Sequence, residues 1–164
     1  MDEIKSVRLS DASGSRIARI REMMGSEEVF KNRKDRQRLS EISAIILADY
    51  KEAGFVNLVR ENKSESFLFL DMVILEEYRN KGVGKKVFEI LQSFGIYSLI
   101  FAAAKIDNIA ANKTAEEVCI RVATIDDNNI YLVQKDRYDE FITHNYMSEL
   151  YEHYEREKSK RLIK

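Results

Sequence analysis

Two features of the stretch LDMVILEEYRNKGVGKKVFEIL, residues 70–91, are of kinds that carry chemistry. Asp71 is the one ionisable side chain in the run FLFLDMVIL, and a carboxylate held among apolar neighbours is poised to accept a proton because its charged form is desolvated. Further on, Arg79, Gly82 and Gly84 stand among Asn80, Lys81, Val83, Lys85 and Lys86, where a β-branched run gives way to an amphipathic one. A helix starting there presents unsatisfied N–H groups and partial positive charge. Glycine lets the backbone come close to a ligand, so the junction suits a pyrophosphate cradle. The plainer readings are a strand-to-helix turn decorated with lysines, and an Asp71 that points away and is paired with a lysine or arginine. The chain has six glycines and no proline, so two glycines at one junction are conspicuous. Neither G-x-x-x-x-G-K-[ST] nor the third glycine of a dinucleotide fingerprint is present, which leaves ATP hydrolysis and NAD chemistry without support.

These groups need elements to position them. KSVRLS alternates as a strand, and Ser10 or Asp11 could cap a helix in SGSRIARIREMM with Ile17, Ile20 and Met24 on one face. EISAIILAD, a turn at YKEAG, FVNLVREN, a turn at KSES and FLFLDMVIL predict a three-strand antiparallel meander. The third of these strands is apolar nearly throughout, as a strand covered on both faces should be. Val83, Val87, Phe88, Ile90, Leu91 and Phe94 form a helical stripe, and YSLIFAAA reads as a strand parallel to its predecessor because a helix separates them. DNIAANKTAEEV predicts a capped helix, and IRVATIDDNNIYLVQ a hairpin about DDNN. In the tail, Tyr138, Phe141, Met147, Leu150, Tyr151 and Tyr154 fall on a helical repeat that would pack on the domain or on a partner subunit, while His144 and His153 read as surface residues.

At 164 residues the chain is read as a single α/β domain, 1–164, with a core over about 4–134 and a C-terminal helical extension over about 135–164. A net charge of -1 gives no global pull toward nucleic acid or membrane, and no nucleic-acid partner is expected. The five basic residues between Lys31 and Arg38 could touch nucleic acid or an acidic substrate, or simply form a solvated face. One cysteine and two histidines supply no metal set, and no apolar run is long enough for a membrane span. With no disulfide to form, the expected location is cytoplasmic.

VILEEYRNKGVGKK resembles the acetyl-CoA-binding segment of the GNAT superfamily of N-acetyltransferases, whose pattern [RQ]-x-x-G-x-[GA] follows a central strand; Arg79, Gly82 and Gly84 occupy the pattern positions. IFAAAKIDNIAANKTAEEV resembles the next strand and helix of that family, with Asn108 at the strand-end asparagine and Ala111 three residues on. The resemblance implies a GNAT-like mixed sheet: antiparallel meander, central splayed parallel pair, C-terminal hairpin, and here an added C-terminal helix. It implies acetyl-CoA (coenzyme A) as cofactor, entering the splay. The backbone of Val73, Ile74 and Leu75 would pair with the pantetheine arm, the amides of Lys81 through Lys85 would hold the pyrophosphate with Arg79 and Asn80 also in the cofactor site, and Asn108 would bond the arm near its reactive end. Amides at Ile74 or Leu75 would hold the oxyanion. Asp71 would be the base, with Glu41 and Tyr50 as substitutes.

The chain departs from the pattern where relatives place a tyrosine seven residues after the asparagine: that position is Ala115. Another acid, water, or loss of activity are the alternatives. Cys119 and Ile120 replace the glycine and aromatic residue that commonly end this helix, and Cys119 suits a small buried hydrophobe better than an acetyl carrier. The resemblance thus implies direct acetyl transfer to a primary amine, either a small molecule or a peptide or protein N-terminus. The alternatives are a catalytically weak or inactive acyl-CoA-binding regulatory module and an adaptor using the basic stretch. No membrane partner is expected; a homodimer would use the aromatic stripe of the tail if it leaves the core.

Overall fold

The computed structural model describes residues 3–11, 40–60, 65–93 and 95–163. The helix expected over 13–24, the basic run and Phe94 lie outside these residues. Among the described residues seven strands form one sheet: β1 Val7–Asp11, β2 Ser40–Ala48, β3 Lys51–Val59, β4 Phe67–Ile74, β5 Leu99–Lys105, β6 Ile120–Ile125 and β7 Asn128–Leu132, in the order β1-β2-β3-β4-β5-β7-β6. The described α-helices are α1 Val83–Gln92, α2 Ile109–Val118, α3 Tyr138–Thr143 and α4 Tyr146–Ile163.

Neighbouring strands are antiparallel except β4 and β5, which run parallel and pair only from Phe67↔Leu99 to Phe69↔Phe101. β4 continues to Ile74 and β5 to Lys105, where β5 is paired on its other edge to β7, from Phe101↔Leu132 to Lys105↔Asn128. The two parallel strands therefore part beyond Phe69 and Phe101. This is the splay that the resemblance implies: past these residues each strand stays paired on its outer edge, β4 to β3 and β5 to β7, while the two facing edges no longer pair with each other.

Two-residue turns at Asp49–Tyr50 and Asp126–Asp127, all four residues at positive φ, close the β2–β3 and β6–β7 hairpins. The first corrects the expected turn at YKEAG: Lys51 to Gly54 already belong to β3. Gly54 misleads because it reads as a breaker. It serves close strand approach instead, since a Cβ there would stand 2.0 Å from the carbonyl oxygen of Val73. Asp49 can take the left-handed turn while its carboxylate accepts the amides of Lys5 and Ser6, tying the chain before β1 to the turn.

Strand alternation sorts the core into two faces. Ile100 and Ala102 of β5 and Tyr131 of β7 join Val83, Val87, Phe88 and Leu91 of α1 and Ala115 and Val118 of α2 in one buried cluster. Phe67, Phe69, Phe101, Ile130 and Leu132 face the other way and are covered by Phe141 of α3 and Leu150 of α4. Most of the expected α1 stripe is buried, with Ile90 half-exposed. The aromatic tail divides: Phe141 and Leu150 join the core, Tyr138 and Tyr154 pack against it, and Met147 and Tyr151 stay exposed.

His153 corrects the surface reading given to both tail histidines; His144 is exposed, but His153 is only 4% exposed. It lies three residues after Leu150 on the inner side of α4, and its ring stacks on Phe69 with centroids 4.6 Å apart. Its Nδ1 meets Glu65 Oε2 at 2.7 Å, and the Arg156 guanidinium takes the same oxygen. Arg60 grips the Glu65 carbonyl from β3's end. Burial alone would push the Glu65 carboxyl up, but His153 and Arg156 outweigh it and hold the group below its ordinary value. A depressed folded value means stability that is fully present above the unfolded glutamate value of about 4.3 and is lost as pH falls through the folded one. Glu65→Gln should accordingly cost about 1–2 kcal/mol at pH 7, since Arg156 loses its counter-charge but, with its side chain about a third exposed, keeps part of its hydration. Thermal melts from pH 7 to 3 should show the gap to wild type closing at the acid end; a gap that is flat with pH would mean Glu65 acts by packing alone.

Candidate active site

The splay of β4 and β5, closed by α1 and α2, encloses a cleft of about 820 Å³. Leu70, Met72 and Ile74 form one wall, and Ala102, Ala103 and Ala104 the other, with Ala110, Ala111 and Ala115 of α2 beyond them. Alanines leave backbone and space where larger side chains would fill the gap.

The wide end of the cleft is the glycine junction. After β4 a 3-10 turn, Glu76–Tyr78, leads into Arg79, whose Nε donates to the Ile74 carbonyl at 2.8 Å and so folds the loop back on the strand. Asn80 at φ 62 and Gly82 at φ 80 then bend the chain sharply into α1. Gly82 is the N-cap residue, and no side chain caps the helix. The first helical bond is Lys86 N–H to the Gly82 carbonyl, which leaves the amides of Val83, Gly84 and Lys85 at an uncapped N-terminus facing the cleft. Open space surrounds Gly82, so its need for glycine is conformational; Gly84 instead packs α1 close to Ile74 and Thr114, 3.4 and 3.5 Å from where its Cβ would be.

Leu75 N–H donates to the Ala53 carbonyl at 2.7 Å, so the odd residues of β4 spend their backbone on β3. By alternation the amide of Ile74 points to the β5 side, into the splay. Of the two amides expected to serve an oxyanion, Leu75 is committed to Ala53 and Ile74 faces the splay. The same argument turns the backbone of Val73 to β3, and Val73, Leu75 and Lys81 do not line the cleft. Ile74, Arg79, Asn80, Gly82, Val83, Gly84, Lys85 and Asn108 do.

Asn108 is the N-cap of α2 and not the last residue of β5, which ends at Lys105; its Oδ1 accepts the Ala111 amide at 3.2 Å. Behind the alanine wall, Asn112 is a buried clamp that sequence reading missed. Its Nδ2 donates to the carbonyls of Lys105 and Asn108, and its Oδ1 accepts from Asn129 Nδ2 and from the Tyr131 hydroxyl at 2.7 Å. This holds α2 to β5 and β7, so the wall keeps its place with the cleft open.

Tyr131 shares the buried cluster and the cleft lining with Ala115, the position where the family pattern has its own tyrosine. Its hydroxyl is spent on Asn112 and on Glu116 at 3.2 Å, and burial together with the Glu116 carboxylate pushes it up to about 12, against a small opposing pull from Arg121. A phenol so placed keeps its proton at neutral pH. Cys119 is buried and pushed up to about 12 by that burial, so its thiol is inert packing.

Asp71 is 2% exposed and faces the side of Phe67 and Phe69, opposite the cleft. It stands across from Asn57, whose Oδ1 accepts the Ser43 hydroxyl at 2.7 Å, so a polar row crosses β2, β3 and β4 inside an otherwise apolar face. Tyr50 is 70% exposed at the β2–β3 turn with Arg8 over its ring, away from the cleft; the side chain of Glu41 lies outside the described atoms. Among the described residues, no three His, Cys, Asp or Glu side chains gather to hold a metal ion, and no helix is long and apolar enough to cross a membrane.

A parallel pair splayed over a glycine-turned helix, with a hairpin closing the far edge, is the fold of the GNAT N-acetyltransferases. Solved structures agree. The dodecameric spermidine N-acetyltransferase from Vibrio cholerae superposes with a TM-score of 0.61 at 12% identity, over 80% of this chain and 95% of that one. The same enzyme in complex with CoA and spermine gives 0.56 at 13%, over 79% and 96%. A GNAT-family acetyltransferase from Streptococcus pneumoniae gives 0.51 at 17%, over 77% and 96%. No protein-family profile and no curated protein matches the sequence.

Proposed function

We propose that this protein is an acetyl-CoA-dependent N-acetyltransferase that moves the acetyl group directly to a primary amine. The observation that carries the reading is the cleft itself, a strand gap that ends at an uncapped helix N-terminus. The pyrophosphate would sit on the amides of Val83, Gly84 and Lys85, held by hydrogen bonds and the helix dipole. The arm would add to the splayed edge of β4 and offer its thioester carbonyl to the Ile74 amide. An amine arriving from the opposite face as ammonium would first lose one proton to Asp71, which frees the lone pair for attack; the C–N bond then forms, the C–S bond breaks, and the second N–H proton passes to water. Since Tyr131 keeps its proton, the sulfur would depart as thiolate and take a proton from water, as a thiol with a pKa of about 8.5 can do.

Polyamines are the first acceptors to try, because the similar Vibrio cholerae enzyme was solved with spermine; peptide N-termini are the second. We place the protein in the cytoplasm on its lone cysteine. Thiol release from acetyl-CoA, followed with and without spermidine or an N-terminal peptide, tests the reading: amine-dependent release is expected. Coenzyme binding without release on any amine would favour the second reading, a non-catalytic acyl-CoA-binding module, which Ala115 and the committed Tyr131 hydroxyl also support.

A further inference from the structure

The charges around the cleft are unequal in sign. Arg79, Lys85 and Lys113 line it, and among the described lining residues Glu117 alone is acidic. That carboxylate does not lie at random. Its Oε2 is 3.8 Å from the Nζ of Lys85, the lysine in the first turn of α1, so the ion pair spans the cleft from α2 to the helix N-terminus. Both side chains are about half exposed, which keeps the pair weak and breakable. Arg79 is engaged by the Ile74 carbonyl, and Lys113 lies one turn before Glu117 on α2. An anion settling on the first-turn amides meets Lys85 with Glu117 already attached to it.

We propose that Glu117 is a built-in competitor for the phosphate end of the cleft, holding Lys85 when the cleft is empty and lowering affinity for coenzyme A so that product leaves readily. This rests on the coenzyme-binding reading above. When the phosphates arrive, Lys85 must either leave Glu117 or be shared with it, and in both cases a carboxylate remains within several ångströms of the bound phosphate. Repulsion between two unit charges about 7 Å apart in a water-like medium amounts to a few-fold in affinity, and added salt screens it over about 10 Å at 0.1 M. The sign is opposite to that expected of an ordinary lining residue, whose removal weakens binding.

The test titrates coenzyme A, and pantetheine as a probe without phosphates, into wild type, Glu117→Gln and Glu117→Gln/Lys85→Gln. Both positions are solvent-facing, so the variants should fold. Glu117→Gln should bind coenzyme A about three- to tenfold tighter at low salt, with the gain fading as salt rises. Pantetheine affinity should not move, and the gain should shrink once Lys85 is also neutral. Turnover of Glu117→Gln should show stronger product inhibition by coenzyme A. Unchanged or weaker binding would overturn the proposal and make Glu117 a group that positions Lys85; an equal change for pantetheine would overturn it as a packing effect. If wild type binds no coenzyme A, the functional reading itself falls and this proposal falls with it, an outcome distinct from wild-type binding that Glu117→Gln leaves untouched.

Discussion

Gly82→Asp should lose coenzyme A affinity by a factor of at least about a hundred while the protein melts where wild type does. Gly82 sits at φ 80 with nothing within 4 Å of the place a Cβ would take. Aspartate is among the few residues that enter this left-handed region at small cost, so the backbone can stay as it is. A carboxylate at an N-cap position is also favourable to the helix dipole, which offsets what strain remains. What changes is the occupancy of the anion site: the new carboxylate lies beside the amides of Val83, Gly84 and Lys85 that a phosphate would need. Two like charges about 5 Å apart at an effective dielectric near 20 repel by about 3 kcal/mol, which is the hundredfold. Gly82→Asn separates charge from shape, because it tolerates the same φ without the charge and should bind within about tenfold of wild type. Calorimetric titration beside thermal melts would decide. Wild-type affinity in a folded Gly82→Asp protein would mean that the phosphates do not sit on α1, and the glycine junction would return to being a turn.

The features legible in the sequence were those written in neighbouring residues. Alternation and apolar runs gave the meander, the helix between FLFLDMVIL and LIFAAA gave the parallel pair, and DDNN gave the hairpin. The glycine junction was legible because backbone conformation demands a residue type at one position. What stayed hidden depended on partners distant in the chain. Gly54 reads as part of a turn because nothing local reveals how closely Val73 approaches it. His153 looked like a polar tail residue because Glu65, its partner, comes 88 positions earlier. Asn112 and Tyr131 sat in plain view within ANKTAEEV and NNIYL, yet only the packing of α2 on β7 brings them together. Nothing within ANKTAEEV sets Glu117 apart, because its partner Lys85 stands on another helix.

Asp71→Asn should leave acetyl-CoA affinity within about twofold and lower kcat by about a hundredfold or more, the usual worth of a positioned general base. Binding should survive because Asp71 projects from β4 to the face opposite the cleft and does not line it. The rate should fall because asparagine has the same shape and cannot take a proton, and an amine arrives largely as ammonium at neutral pH. The loss should be largest at neutral pH and shrink as the medium is made alkaline, where more of the amine is already free. Stability reads the competing explanation. An ionised carboxylate that is 2% exposed is costly to bury, so a purely structural Asp71 paired within the polar row of Asn57 and Ser43 would show its loss as an altered melt with turnover intact. A catalytic Asp71 gives the reverse: a melt little changed or raised, and turnover lost. Full turnover in Asp71→Asn would move the base to the residues outside the described part of the chain, and leave β4 with the single task of holding the acyl arm through Ile74.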